Sequence, residues 1–201
     1  MSHIVGIGEA GRGPLAGPVA VGAVSIAYPE RSRGMWKRFF KGIKDSKQLS
    51  PEEREFWFAL AQEGRRRSEL DFRVSLVSER VIDRHGIAYA IRLGVKRVLR
   101  RLEIDGGDSQ IFLDGALRAP IEFKHQLTVI RGDEKIPIIS LASICAKVVR
   151  DRKMVRMAKK YPEYDFDQHK GYSTRMHREA IRKYGSTELH RKSFLKKIAK
   201  R

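Results

Sequence analysis

A single cysteine, Cys145, leaves no disulfide framework possible within one chain. It lies in the apolar run 138–146, where it reads as a small buried hydrophobe. No apolar run reaches the roughly 20 residues that a spanning helix needs, which excludes a helical membrane protein. The first residues lack the charged and apolar regions of a secretory signal. A cytoplasmic monomer without membrane contact is expected. Acidic residues are also scarce, with 24 Asp plus Glu against 42 Lys plus Arg, for a formal charge of +18 over 201 residues. From residue 147 onward there are 18 basic and 6 acidic residues, so the last quarter holds a net +12. An excess this concentrated points to a polyanion, and to nucleic acid above all. Loss of residues 188–201 is accordingly expected to weaken binding to every duplex without changing which is preferred. Neither an internal repeat nor a low-complexity linker divides the chain, and its length suits one large domain or one domain with an appendage.

Glycine is concentrated at one place. Residues 6–18, GIGEAGRGPLAGP, hold five glycines and two prolines and contain the G-x-G-x-x-G spacing of dinucleotide sites. That reading requires a helix opening from the motif. A strand at residues 3–7 does precede it, but Gly11, Gly13, Pro14, Gly17 and Pro18 leave no room for a helix before the next strand, residues 19–28. What remains is a strand ending in an acid, then a loop of small residues around Arg12.

The connection 31–47 is basic and contains Trp36, Phe39 and Phe40. Ser50, Pro51 and Glu53 form a capping-box pattern for a helix to about residue 67. Residues 71–77 alternate as a strand, and residues 87–102 carry Ile91, Val95, Val98 and Leu102 at helical spacing. Short strands at 110–113 and 126–130 precede Asp114 and Asp133, so three strands deliver carboxylates at or just beyond their ends. A helix over 138–160 has Leu141, Cys145 and Val148 as its seam. Ser143, Lys147 and Asp151 share another face, where the Ser143 hydroxyl and Lys147 ammonium can grip a phosphate or Lys147 can simply pair with Asp151. Tyr172 falls in a glycine-containing turn with Ser173 placed to cap the next helix, and a short basic helix covers 188–201.

GIGEAGRGPLAGPV, DSKQLS at 45–50, LDG at 113–115, GDEKIPIISLASICAKVVRD at 132–151 and HKGYSTRMH at 169–177 together resemble the successive motifs of ribonuclease HII, the type 2 ribonuclease H family. The resemblance implies a ribonuclease H-like α/β fold: a mixed central β-sheet flanked by helices, with residues 1–160 as catalytic domain and 161–201 as a basic C-terminal helical extension packed on it. It implies an Mg²⁺- or Mn²⁺-dependent endoribonuclease acting on RNA-DNA hybrid and on duplex DNA containing ribonucleotides. Cleavage falls 5′ to the ribonucleotide and leaves 3′-hydroxyl and 5′-phosphate ends. Two such ions stabilise the entering and leaving oxygens of the phosphodiester, and hard cations need oxygen ligands.

By the same resemblance Glu9, Asp114 and Asp133 are catalytic and metal-holding carboxylates. Gly11, Arg12 and Gly13 match the loop that reads the 2′-hydroxyl, and Tyr172 matches the tyrosine that packs on the neighbouring deoxyribose. Ser46, Lys47, Ser143 and Lys147 match phosphate contacts. At one position the chain departs from the family, which reads Gly-Ile-Asp-Glu where residues 6–9 read Gly-Ile-Gly-Glu. Gly8 therefore stands where a metal-holding aspartate is expected, and the G-x-G-x-x-G spacing is its by-product. Two functions follow: an endoribonuclease impaired at position 8, or a non-catalytic module that binds RNA-DNA junctions.

Overall fold

The computed structural model describes residues 2–27 and 39–198. Trp36 and the basic residues 31–38 of the connection lie outside them. Five strands form one sheet: β1 (His3–Ala10), β2 (Val19–Ala27), β3 (Asp71–Val77), β4 (Ser109–Asp114) and β5 (His125–Val129). Their order is β3-β2-β1-β4-β5, with β1, β2 and β3 antiparallel neighbours and β1, β4 and β5 parallel ones. The helices are α1 (Pro51–Arg66), α2 (Glu79–His85), α3 (Ile87–Leu102), α4 (Gly132–Lys135), α5 (Pro137–Lys160), α6 (Phe166–His169), α7 (Arg175–Tyr184) and α8 (Lys192–Ile198), with a 3-10 turn at Pro162–Tyr164.

Strand β2 is buried along all but its last residue, because helices cover both faces of the sheet; this is why it reads as an unbroken apolar run. On one face Val5, Ile7, Val21, Ile111 and Leu113 pack with the Ile91, Val95, Val98 and Leu99 stripe of α3. On the other, Val24 and Phe72 meet Trp57 and Phe58 of α1 and Leu141, Ile144 and Cys145 of α5. Phe39 and Phe40 join that second core. Burial also raises the pKa of the Cys145 thiol, which holds it in its neutral form.

Helix α5 lies directly on the strand backbones. A Cβ on Gly6 would come 2.5 Å from the Ile138 carbonyl, and one on Gly22 would come 2.2 Å from the Ala142 carbonyl oxygen. Residues 138–146 are therefore buried on every side of the helix, and the expected Leu141, Cys145 and Val148 seam is only part of a wholly enclosed half-helix. The capping box forms as expected, with Ser50 Oγ accepting from Glu53 N–H at 3.2 Å and Glu53 accepting from Ser50 N–H at 2.7 Å. Two boundaries differ. Thr174, not Ser173, caps α7, its Oγ1 accepting from His177 N–H. The last helix starts at Lys192, because Leu189, His190 and Arg191 are drawn out of helical geometry by the glycine loop. The elements beyond residue 160 share a core with that loop, in which Ala16 and Met154 pack with Tyr164, Phe166 and Leu189.

Candidate active site

Strand β1 brings Glu9, and β4 brings Asp114, to the same edge of the sheet, because the two strands run parallel in register from His3 and Ser109. Asp133 enters from α4, whose N–H groups hold Asp114: its Oδ1 accepts from Gly132 N–H at 2.8 Å and from Asp133 N–H at 3.4 Å. Lys47 reaches in from the loop before α1 and donates from Nζ to Asp133 Oδ2 at 3.0 Å. Burial raises the pKa of Glu9, against the pull of Arg12, whose Nη1 lies 3.2 Å from Glu9 Oε1; the Asp114 charge raises it further. Burial and the Asp133 charge likewise raise Asp114. Burial works against the charge on Lys47, but its bond to Asp133 and the fields of Asp133, Asp45 and Asp114 outweigh it and raise that pKa. One ammonium is thus the common counter-ion of a desolvated, mutually repelling acidic group.

Gly8 faces α5. A Cβ there would fall 2.0 Å from Ser143 Oγ and 3.1 Å from Ser143 Cβ and N. The Ser143 hydroxyl is buried and has no hydrogen-bond partner, and neither does the buried Glu9 Oε2 next along the strand. Ser46 is buried as well, its hydroxyl 3.5 Å from Asp45 Oδ1. The Ser143 hydroxyl is closed off from the surface.

The glycine loop follows β1. Gly11 has φ +81°, and a Cβ there would lie 2.1 Å from Arg150 Nε, so this glycine is required by internal packing. Gly13 differs, with open space where its Cβ would be. Arg12 and Gly13 are both exposed. Tyr172 is 40% exposed and lies over two cations, with Lys147 Nζ 5.5 Å and Arg150 Cζ 5.6 Å from its ring centre. Its turn is tied to the loop by the Leu15 N–H, which donates to Gly171 O at 2.8 Å. The Lys147–Asp151 pair does form, at 2.7 Å, and its side chains are only 19% and 17% exposed. Burial lowers the Lys147 pKa, and Asp151 offsets part of that.

Beneath Tyr172 lie three histidines. The Tyr172 carbonyl can only accept, so His177 Nδ1, at 2.9 Å, carries the proton. His177 Nε2 then accepts from His190 Nε2–H at 3.1 Å, leaving His190 Nδ1 to accept from Thr187 N–H at 2.9 Å. His169 stacks on His177 with ring centres 4.4 Å apart. Burial pushes His177 and His190 down to about 4. Unfolded imidazoles titrate near 6.5 and bind protons that these folded ones refuse. Their contribution to stability is therefore complete above about pH 6.5 and lost as the pH falls towards about 4. Tm is expected to drop steadily between about pH 6.5 and 4.5, and less steeply in His177→Gln; an unchanged Tm over that window would contradict the neutral histidine chain.

Asp45, Arg150, His177, His190 and Arg191 were not singled out from sequence. Asp45 sits in the DSK motif and is buried beside Asp133, where burial and that neighbour raise its pKa. Arg150 and His177 also lie inside quoted motifs, and His190 and Arg191 outside all of them, but nothing in the sequence marks any of the four as buried, since a buried arginine or histidine is spelled like a surface one. A hard divalent cation needs oxygen donors, and this donor set is of that kind: repelling carboxylates with one buried, unpartnered oxygen on Glu9. Among the described residues, however, no three His, Cys, Asp or Glu side chains converge closely enough to hold one ion. No helix among them is long and apolar enough to cross a membrane.

Residues 5–197 match the family model for ribonuclease HII. A ribonuclease HII of Caldicellulosiruptor bescii is 42% identical over 195 residues, covering 97% of this chain and 87% of that one. One from Alkaliphilus metalliredigens is 40% identical over 200 residues, covering 98% and 92%. The crystal structure of ribonuclease H2 from Pyrococcus horikoshii superposes with a TM-score of 0.70 at 28% identity, over 98% of this chain and 97% of that one. The mixed sheet flanked by helices, the order of the motifs and these full-length likenesses agree, and the chain belongs to the ribonuclease HII family of endoribonucleases.

Proposed function

We propose that the chain hydrolyses RNA in RNA-DNA hybrids and at ribonucleotides embedded in duplex DNA, cutting 5′ to the ribonucleotide, and that Gly8 impairs the form described. The observation that carries this reading is the gathering of Glu9, Asp114 and Asp133 about Lys47, beside the glycine loop that exposes Arg12 and Gly13. With an aspartate restored at position 8, Glu9, Asp114 and Asp133 would hold Mg²⁺ or Mn²⁺, which when bound stabilises the charge that develops on the entering and leaving oxygens; with Gly8 no three acids among the described residues converge on one ion. The side chains do the rest. Asp114 is oriented by the two N–H groups of α4, and the Lys47 ammonium opposes the rise in pKa that burial imposes on Glu9 and Asp114. Residues 11–13 approach the minor groove, with Gly13 open to the 2′-hydroxyl and Tyr172 set against the adjacent sugar. Lys47 and Lys147, with Ser46 and Ser143 behind them, line the phosphate path. Residues 1–160 act as the catalytic body and 161–201 as its basic extension.

A non-catalytic junction binder is the second reading, favoured by the lack of a converged ligand set among the described residues. Buried carboxylates that repel phosphate work against it. In a Gly8→Asp background, Tyr172→Ala is expected to depress cleavage at a single ribonucleotide by about tenfold, as one base- or sugar-stacking contact is worth. Lys147→Ala should instead raise the substrate concentration needed on every duplex. Steady-state kinetics on hybrid and single-ribonucleotide duplexes tests both, and undiminished single-ribonucleotide cleavage by Tyr172→Ala overturns the junction role.

A further inference from the structure

We propose that His190 and Arg191, in the segment between α7 and α8, are positioning residues that lock the glycine loop and the Tyr172 turn into one recognition surface. The proposal rests on the reading that these two elements distinguish a ribonucleotide junction.

Arg191 is fully buried, and its fork meets three carbonyls of the loop: Nη2 donates to Gly11 O at 2.7 Å, Nη1 to Arg12 O at 2.9 Å and Nε to Gly17 O at 2.9 Å. Its own N–H donates to Leu15 O at 2.7 Å, and Gly17 N–H donates to Leu189 O at 2.8 Å. A β-bridge pairs Ala16 with His190. Arg150, equally buried, takes the carbonyls of Pro18 at 2.9 Å and Ala16 at 3.2 Å and reaches Lys170 O at 2.9 Å. Six of the eight carbonyls in residues 11–18 are therefore tied inward, those of Gly11, Arg12, Leu15, Ala16, Gly17 and Pro18. A loop held this way cannot turn those oxygens towards a phosphate, which they would repel. Burial lowers the Arg191 pKa to about 9, so the clamp keeps its charge at neutral pH.

His190, one residue earlier, points the other way. Through His177 it holds the Tyr172 carbonyl, in the fixed tautomer chain that starts at Thr187 N–H. Adjacent residues of one segment thus grip the two recognition elements from beneath. Removing residues 188–201 is then not a charge-only change, as the sequence suggested. It also releases the loop and the turn, and the preference between duplexes falls with it.

Arg191→Lys separates the two effects, because it keeps the charge while a single ammonium cannot span three carbonyls. The test measures equilibrium binding by the otherwise unaltered chain to two duplexes of one sequence, all-DNA and with one ribonucleotide, across a salt series. For Arg191→Lys we expect the ratio of the two affinities to fall by about tenfold, with all-DNA affinity and its salt slope unchanged. His190→Leu should lose the ratio likewise, and His190→Gln, which restores a side-chain N–H donor towards His177, should recover part of it. Lys192→Ala should lower both affinities alike and leave the ratio intact. Should Arg191→Lys or His190→Leu not fold, Thr187→Val removes one hydrogen bond to His190 Nδ1, 3.0 Å from Thr187 Oγ1, and is expected to lower the ratio less. An unchanged ratio in the folded variants overturns the positioning role. No preference in the unaltered chain overturns the functional reading beneath it, and the positioning role with it.

Discussion

Gly8→Asp should raise the single-turnover rate of cleavage at one embedded ribonucleotide by on the order of a hundredfold or more, the scale set by other transition-state-stabilising groups. The surroundings of position 8 accept the change. Gly6 and Gly22 cannot take a side chain, because helix backbone stands within 2.5 Å of where each Cβ would be. At Gly8 the nearest obstacle is the Ser143 hydroxyl, which rotates about one bond, leaving contacts of 3.1 Å that a small shift of α5 relieves. The same hydroxyl is buried and lacks a partner. A carboxylate at position 8 gives it an acceptor and adds a fourth oxygen donor group beside Glu9. Gly8→Asn is the control. It fills the same space and offers the same carbonyl acceptor without the charge, and it should not recover the rate. Equal rates for the chain as written, Gly8→Asp and Gly8→Asn at matched Mg²⁺ or Mn²⁺ would remove position 8 from the mechanism.

Asp114→Asn, placed in the Gly8→Asp background, should abolish that gain, again by on the order of a hundredfold. An asparagine Oδ1 can still accept from Gly132 and Asp133 N–H, so α4 keeps its anchor and the fold its stability. The loss would report the missing charge and not a displaced helix. Asp133→Asn should do the same to the rate. It also weakens the hold on Lys47, whose ammonium bonds Asp133, so substrate affinity should change with it. A variant with unchanged Tm and undiminished cleavage would place the carboxylates outside the reaction.

The sheet and its main helices were legible from their apolar patterns: residues 71–77 alternate in sequence, although burial does not follow that alternation and reaches Ser75 and Val77, and 87–102 carry one apolar stripe. The capping box at Ser50 was legible for the same local reason. Short α2 was not, since seven residues with only Ile82 buried leave little pattern. Nor was the enclosed half of α5, where glycines on other elements make the room. Within the site, Glu9 and Asp114 lie at the ends of their strands, as the short apolar runs before them indicated. Gly11 is needed for Arg150, a partner 139 positions away, and no spacing rule reaches so far. The two clamp arginines are indistinguishable in sequence from the solvated charges around them, because their roles exist only once the last segment folds back on the first loop.

The most direct test of the central claim, that this fold presents a ribonucleotide-recognising cleavage site, is end mapping of the products formed by Gly8→Asp. The substrate is a duplex with one ribonucleotide, set beside the all-DNA duplex of the same sequence. Cleavage solely on the 5′ side of the ribonucleotide, with 3′-hydroxyl and 5′-phosphate ends and an intact all-DNA duplex, is the predicted result. Equal cutting of both duplexes, or a 2′,3′-cyclic phosphate end, would contradict it.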